Sequence, residues 1–187
     1  MKTNRLIRKS TALFMALAIF AMIFTGCSKD SSSSSSNSGG NSGGGGGGVV
    51  PPITDYGTVR VGDQTYTIAL GAYEIYFDED LQDNICSIAI TDTSGDNTFS
   101  VGIPYRTDIP EGRLVFSIED PIPDGKCAGM LTAGENNVLL CASGYVTITK
   151  VGTDYKIESA GYAVPIGGGR DVDFGVEFQG PLTQVEE

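Results

Sequence analysis

Asp92, Asp96 and Asn97 fall together in the stretch "TDTSGDN" and offer the carboxylate and carbonyl oxygens that a hard cation such as calcium takes as ligands. The stretch lacks the ligand spacing and closing glutamate of an EF-hand. The same residue types build Asx turns, so a plain turn is favoured over a metal site. Three cysteines form the next reactive group: Cys86, Cys127 and Cys141. Cys127 and Cys141 flank "AGMLTAGENNVLL" and are the candidate disulfide, a bridge worth about 3 kcal/mol in the chain-entropy picture. Cys86 alternates with Ile88 and Ile90, which reads as a small buried hydrophobe. A nucleophilic thiol is disfavoured, because no histidine is present to activate it.

The absence of histidine reaches further. It removes the commonest general base, the usual zinc ligand and every triad built on imidazole. Carboxylate pairs can be proposed anywhere in so acidic a chain and carry no meaning without geometry. No catalytic residue is assigned, and an enzyme ranks third among the functional readings. With no tryptophan, tyrosine is the remaining platform for stacking a ligand. Tyr66, Tyr73 and Tyr155 alternate with core positions and are expected to pack inside. Tyr56, Tyr76, Tyr105, Tyr145 and Tyr162 are freer to face solvent, and Tyr76, Tyr105, Tyr145 and Tyr162 are the candidate ligand contacts. "PIGGGRD" is glycine-rich but precedes a strand, whereas a phosphate cradle uses amides at a helix start, so it is set aside.

These side chains must be positioned by strands. Period-two rows run through the chain: Tyr66, Ile68, Leu70; Tyr73, Ile75, Phe77; Cys86, Ile88, Ile90; Phe99, Val101, Ile103; Leu114, Phe116, Ile118. "DVDFGVEFQG" is the clearest, with Val172, Phe174, Val176 and Phe178 on one face and Asp171, Asp173, Glu177 and Gln179 on the other. Glycine-bearing turn segments ("VGDQ", "SGDN", "PEGR", "PDGK", "VGTD") separate the rows. No helical stripe appears; "DEDLQDN" has room for one turn. Residues 53–187 are therefore expected to form one antiparallel all-β domain, a β-sandwich, with an up-and-down β-barrel as the alternative. Val61-Gly62 leading to "YTI" and Val151-Gly152 leading to "YKI" form an internal echo that two hairpins of one design explain as well as a duplication would.

The start of the chain has a different composition. Lys2, Arg5, Arg8 and Lys9 precede the uncharged run "TALFMALAIFAMIF", which describes a secretory signal peptide and falls short of the roughly 20 apolar residues of a spanning helix. "FTGC", Phe24 to Cys27, resembles the lipobox of bacterial lipoproteins. The resemblance implies cleavage after residue 26, a diacylglycerol on the Cys27 thiol and an acyl chain on the new amino terminus. Two or more chains anchor a protein stably where one does so only marginally. No other cofactor is implied. Residues 27–52 then form a tether; the Ser/Asn/Gly tract from Ser31 to Gly48 is expected to stay disordered, with an end-to-end span of ~21–25 Å. Ser28-Lys29-Asp30 is compatible with outer-membrane delivery and is similar to the surface-export signal of Bacteroidota lipoproteins, which favours the cell surface over a periplasm-facing position.

The formal charge is −11, and loss of the four leader cations takes it to −15. A nucleic-acid binder needs a basic footprint, so no nucleic-acid partner is expected. "GTVRVGDQTYTIALGAYEIY", "IPEGRLVFSIED", "SGYVTITKVGTDYKI" and "DVDFGVEFQGPL" occur in an order that resembles a group of small β-rich lipoproteins of Bacteroidota. These are turn-and-strand motifs, and they imply a fold without chemistry. The expected function is a lipid-anchored outer-membrane lipoprotein whose non-catalytic β domain binds a protein or glycan. The alternative is a structural envelope component docked to another membrane protein.

Overall fold

The computed structural model describes residues 55–134 and 137–185; the leader, Cys27, the tether and the boundaries drawn there lie outside them. None of the described residues is helical. The strands are β1 (Gly57–Val61), β2 (Gln64–Ile68), β3 (Leu70–Asp78), β4 (Asp83–Thr91), β5 (Asn97–Pro104), β6 (Gly112–Phe116), β7 (Lys126–Ala133), β8 (Val138–Val151), β9 (Asp154–Pro165), β10 (Val172–Gly180) and β11 (Thr183–Gln184). They form one sheet in the order β11-β3-β4-β5-β7-β6-β8-β9-β10-β1-β2. Pairing is antiparallel except at two short contacts, β6 with β7 and β11 with β3.

The all-β expectation holds, but the two-sheet sandwich does not describe the molecule. A single curled sheet makes a half-barrel, closer to the barrel alternative. It departs from an up-and-down order as well. β6 is wedged between β7 and the far half of β8, while β7 and β8 pair directly at Met130–Thr132 and Val138–Leu140.

The curling has a local cause at Ala69. β2 and β3 stand near opposite ends of the strand order, yet Ala69 alone separates them in the chain. One bent strand therefore pairs with β1 through its first half and with β4 through its second. The Ala69 amide donates to the Thr91 carbonyl at 3.0 Å and holds the bend. Alternation skips a step here. Ile68 faces the core, and so does Gly71, where a Cβ would lie 2.7 Å from the Phe178 ring. Leu70, which strict alternation places with Tyr66 and Ile68, is 41% exposed instead. Strand ends break two other rows: Phe77 is 56% exposed and Ile118, beyond β6, is 70% exposed.

Inside the curl sits one apolar cluster, drawn from β1, β2, β4–β10 and including Val59, Ile88, Val101, Leu139, Ile157 and Phe178. Phe99, Phe116 and Phe174 meet at its centre, with ring centroids 5.9–6.3 Å apart. Tilted and edge-on rings at such distances suit the aromatic quadrupole. Tyr66, Tyr73 and Tyr155 pack against the cluster as expected. Both echoed segments are hairpins: Gly62 (φ 56°) and Gly152 (φ 65°) each take the first place of a two-residue turn, the position that a type II′ turn reserves for glycine.

Candidate functional site

The residues singled out for chemistry fall at four separate places. Asp92 opens the loop between β4 and β5. Its Oδ1 accepts from the Gly95 amide at 2.8 Å and the Ser94 hydroxyl at 2.9 Å, and its Oδ2 accepts from the Asn97 side-chain amide. Asn97 Oδ1 in turn accepts from the Gly134 amide at 3.0 Å. The oxygens a cation would need are thus occupied by donors of the chain, as an Asx turn requires. Asp96 contributes only its backbone amide, which donates to Ser94 Oγ at 3.2 Å. Among the described residues no group of three or more His, Cys, Asp or Glu is placed to hold a metal ion.

All three cysteines of the domain are buried free thiols. Cys86 lies in its row with Ile88 and Ile90, as expected. Burial pushes the Cys86 and Cys127 thiols up to about 12, and drives Cys141 higher still, with the neighbouring Cys127 adding to the effect. Cys127 and Cys141, the candidate bridge, are unbonded, and the register supplies a reason. The position facing Cys141 is Gly129, whose Cβ would come within 2.9 Å of Cys141 Cβ. The Phe116 ring fills the space left by that missing side chain, 2.5 Å from where its Cβ would be. Cys127 is two residues off register from Cys141 and pairs with Phe116 instead.

The tyrosines divide. Tyr56 packs on Phe178 (centroids 6.0 Å apart), inside rather than free. Tyr76 lies opposite Ile85 on the outer face of β3, but its hydroxyl is buried and, among the described residues, without a hydrogen-bond partner. Burial, with Asp78 and Glu74 adding to it, raises its pKa. It is therefore a poor ligand contact. Tyr105 follows β5 in a left-handed conformation (φ 61°), and its carbonyl accepts from Arg106. Tyr76 and Tyr105 thus sit toward one end of β3–β5.

Tyr145 and Tyr162 belong together. On β8 and β9 the rows Val146–Ile148 and Ile157–Ser159 face inward and are buried, so Tyr145 and Tyr162 face out. Tyr145 pairs with Ala160 and Ser143 with Tyr162, which makes the two tyrosines diagonal neighbours, ~7–8 Å apart between Cα atoms on regular spacing. Between them the backbones come unusually close. The register shifts between Cys141 and Ser143, and directly opposed Gly144 and Gly161 follow. A Cβ on Gly144 would sit 2.1 Å from the Ala160 carbonyl oxygen, and one on Gly161 2.0 Å from that of Ser143. Ser159 fastens the Tyr145 backbone from inside, donating its hydroxyl to the Tyr145 carbonyl at 2.7 Å.

Arg113 completes this face. It lies on β6, diagonal to Tyr145, and its guanidinium stands over the Tyr145 ring at 3.8 Å from the centroid. Among the described residues it forms no ion pair, unlike Arg60, Arg106, Lys126 and Lys156. Asp173 lies opposite Tyr162 on the next strand and pairs with Arg60 at 2.6 Å; the Arg60 bond holds the Asp173 carboxyl below its usual range. Alternation in "GRLVF" puts Arg113 outward, but its aromatic partner is in another strand, so sequence reasoning missed it. The chain matches no family model, no curated protein and no solved structure.

Proposed function

We propose that this chain is a non-catalytic component of a bacterial cell envelope, held by acyl chains on Cys27 and docked to another membrane protein. The observation that carries the docking is the free edge of the sheet. Among the described residues, β2 hydrogen-bonds along β1 on one side and ends the strand order on the other. Its sequence, "QTYTI", has no charge and no proline, and Gln64, Thr65 and Thr67 are exposed. Unpaired strand edges are normally blunted by charge, proline or a bulge, because their free N–H and C=O groups accept another strand. An edge without these devices suits an added strand from a partner, with backbone bonds giving affinity and alternate side chains giving selectivity.

A photo-crosslinking residue placed at Thr65 or Thr67 in cells tests this. One discrete adduct, missing when the same residue is placed at Thr153 in the β8–β9 turn, is the expected result. A smear of adducts, or the same adduct from Thr153, removes β2 as the docking edge. Protease added to intact cells, with Cys27→Ala as the companion strain, tests the anchor and its facing. Rapid loss of the domain is expected for a surface-exposed outer-membrane lipoprotein, and the variant should leave the membrane fraction.

A second reading is a domain that displays a glycan- or protein-binding face. It draws support from Tyr145, Tyr162 and Arg113 on the outer face of the central strands.

A further inference from the structure

We infer that the outer face of β6, β8 and β9 binds a carbohydrate bearing a carboxylate, with Tyr145 and Tyr162 beneath the sugar and Arg113 on its acid group. The inference rests on the second reading above and gives that face its ligand class.

Three observations combine. Tyr162 is the most exposed of the domain's large aromatic side chains at 57%, and sits on a central strand where no edge or loop requires it. An exposed ring offers the flat apolar surface and polar rim that suit the C–H face and hydroxyls of a pyranose. Ala160, opposite Tyr145, leaves a low floor beside the two rings, and the Arg60 side chain, 3.8 Å from where a Cβ of Gly175 would lie on β10, borders it together with its partner Asp173. The close approach of Gly144 and Gly161 fixes the spacing of the strands that carry those rings. Bulges and interior glycines of this kind commonly re-aim side chains at functional places.

Arg113 selects the charge. Its stacking on Tyr145 immobilises the guanidinium before any ligand arrives, so less freedom is lost on binding. Its fork has no carboxylate partner among the described residues, in a protein whose acids outnumber its cations 23 to 12. A planar fork of this kind recognises a carboxylate with two parallel hydrogen bonds. A single such cation does not make the basic track that a nucleic acid requires. The face also lies among paired strands, where an extended peptide finds no free backbone edge to join.

The test is an array of uronate and sialate oligosaccharides printed as free acids and as matched methyl esters, probed with the full chain in detergent. Binding of the acids at least about tenfold tighter than the esters is expected, since a charge-assisted bidentate contact is lost on esterification. Arg113→Gln should remove that preference while leaving weak ester binding. Tyr162→Ala should abolish binding to both forms, with circular dichroism unchanged. Equal retention of acid and ester overturns the carboxylate assignment, and so does full acid preference in Arg113→Gln. If neutral glycans on the same array bind in a Tyr162-dependent way, the recognition reading survives and only the acidic ligand falls. If nothing on the array binds, the carbohydrate inference falls too, and a protein ligand is then sought for the recognition reading by crosslinking from Tyr162.

Discussion

Phe99 and Phe174 meet with ring centroids 6.3 Å apart, although three strands, β7, β8 and β9, separate β5 from β10 at the level of Phe99, where β7 pairs directly with β8. A flat sheet would hold strands that far apart in the order at about 4 × 4.8 Å, well beyond side-chain contact. The contact exists because the strand bent at Ala69 draws the two ends of the order together. The interior is then filled from both sides by one apolar cluster.

Truncating this meeting point should weaken the whole fold. Phe174→Ala is expected to cost about 3–5 kcal/mol in urea unfolding, the usual range for a buried ring whose neighbours cannot collapse into the space. Phe77→Ala, at an exposed strand end, should stay within about 0.5 kcal/mol of the parent. Similar losses for both would mean that the central rings do not close the curl.

Two glycines with nearly the same backbone angle separate strain from crowding. Gly112 has φ 115° with open space around it, while Gly144 has φ 116° and the Ala160 carbonyl oxygen 2.1 Å from where a methyl group would lie. Gly112→Ala should lose only the conformational term, about 1–3 kcal/mol. Gly144→Ala adds a backbone clash that no side-chain motion relieves, and should melt at a distinctly lower temperature. Equal melting temperatures would refute the close approach of β8 and β9.

The buried thiols predict an alkaline limb of stability. Their folded pKa values lie above the ordinary value of 9.0, at about 12 for Cys86 and Cys127. A raised folded pKa favours the native state fully below pH 9.0. The unfolded thiols ionise first above it, so the contribution drains away as pH rises toward 12. The stability of the parent relative to Cys86→Val should therefore fall as pH rises from 8 to 11, as read from urea midpoints. In the native state at neutral pH, none of the three thiols should react with a thiol-specific dye within minutes. Immediate reaction would place a thiolate at the surface.

Asp92 should matter as a turn residue. Asp92→Ala removes acceptors for Ser94, Gly95 and Asn97, and is expected to destabilise by roughly 1–3 kcal/mol, because the hydrogen bonds go to a charged group. A chelator should leave the parent's melting temperature unchanged. A rise of several degrees with added calcium would show that the loop opens to take a cation.

The strand content was legible in the chain because alternation is a local property. A row such as Val172, Phe174, Val176 and Phe178 declares a dry face whatever it packs against. Turn glycines were legible for a related reason: a positive φ at Gly62 or Gly152 is a demand made within a few residues. The Asx turn at Asp92 follows the same logic.

Long-range geometry was not legible. Nothing in "TYTIALGAYEI" says that a single alanine divides a strand between two partners, because that depends on Thr91 waiting for the Ala69 amide. Leu70 left its row for that reason. Tyr76 reads as freely exposed as Tyr162 does, yet its hydroxyl is buried and that of Tyr162 is on an open ring. Pairing of Arg113 with Tyr145, and of Tyr145 with Tyr162, depends on the register of three strands. Residue type and period thus determined that this chain would make strands and, where a row runs unbroken as in β10, which side would be dry. Which strands became neighbours, and so whether the sheet stacked in two layers or curled around one core, was decided only by tertiary structure. Hydrogen bonds between strands are interchangeable in kind, and only the packing of distant side chains selects among their registers.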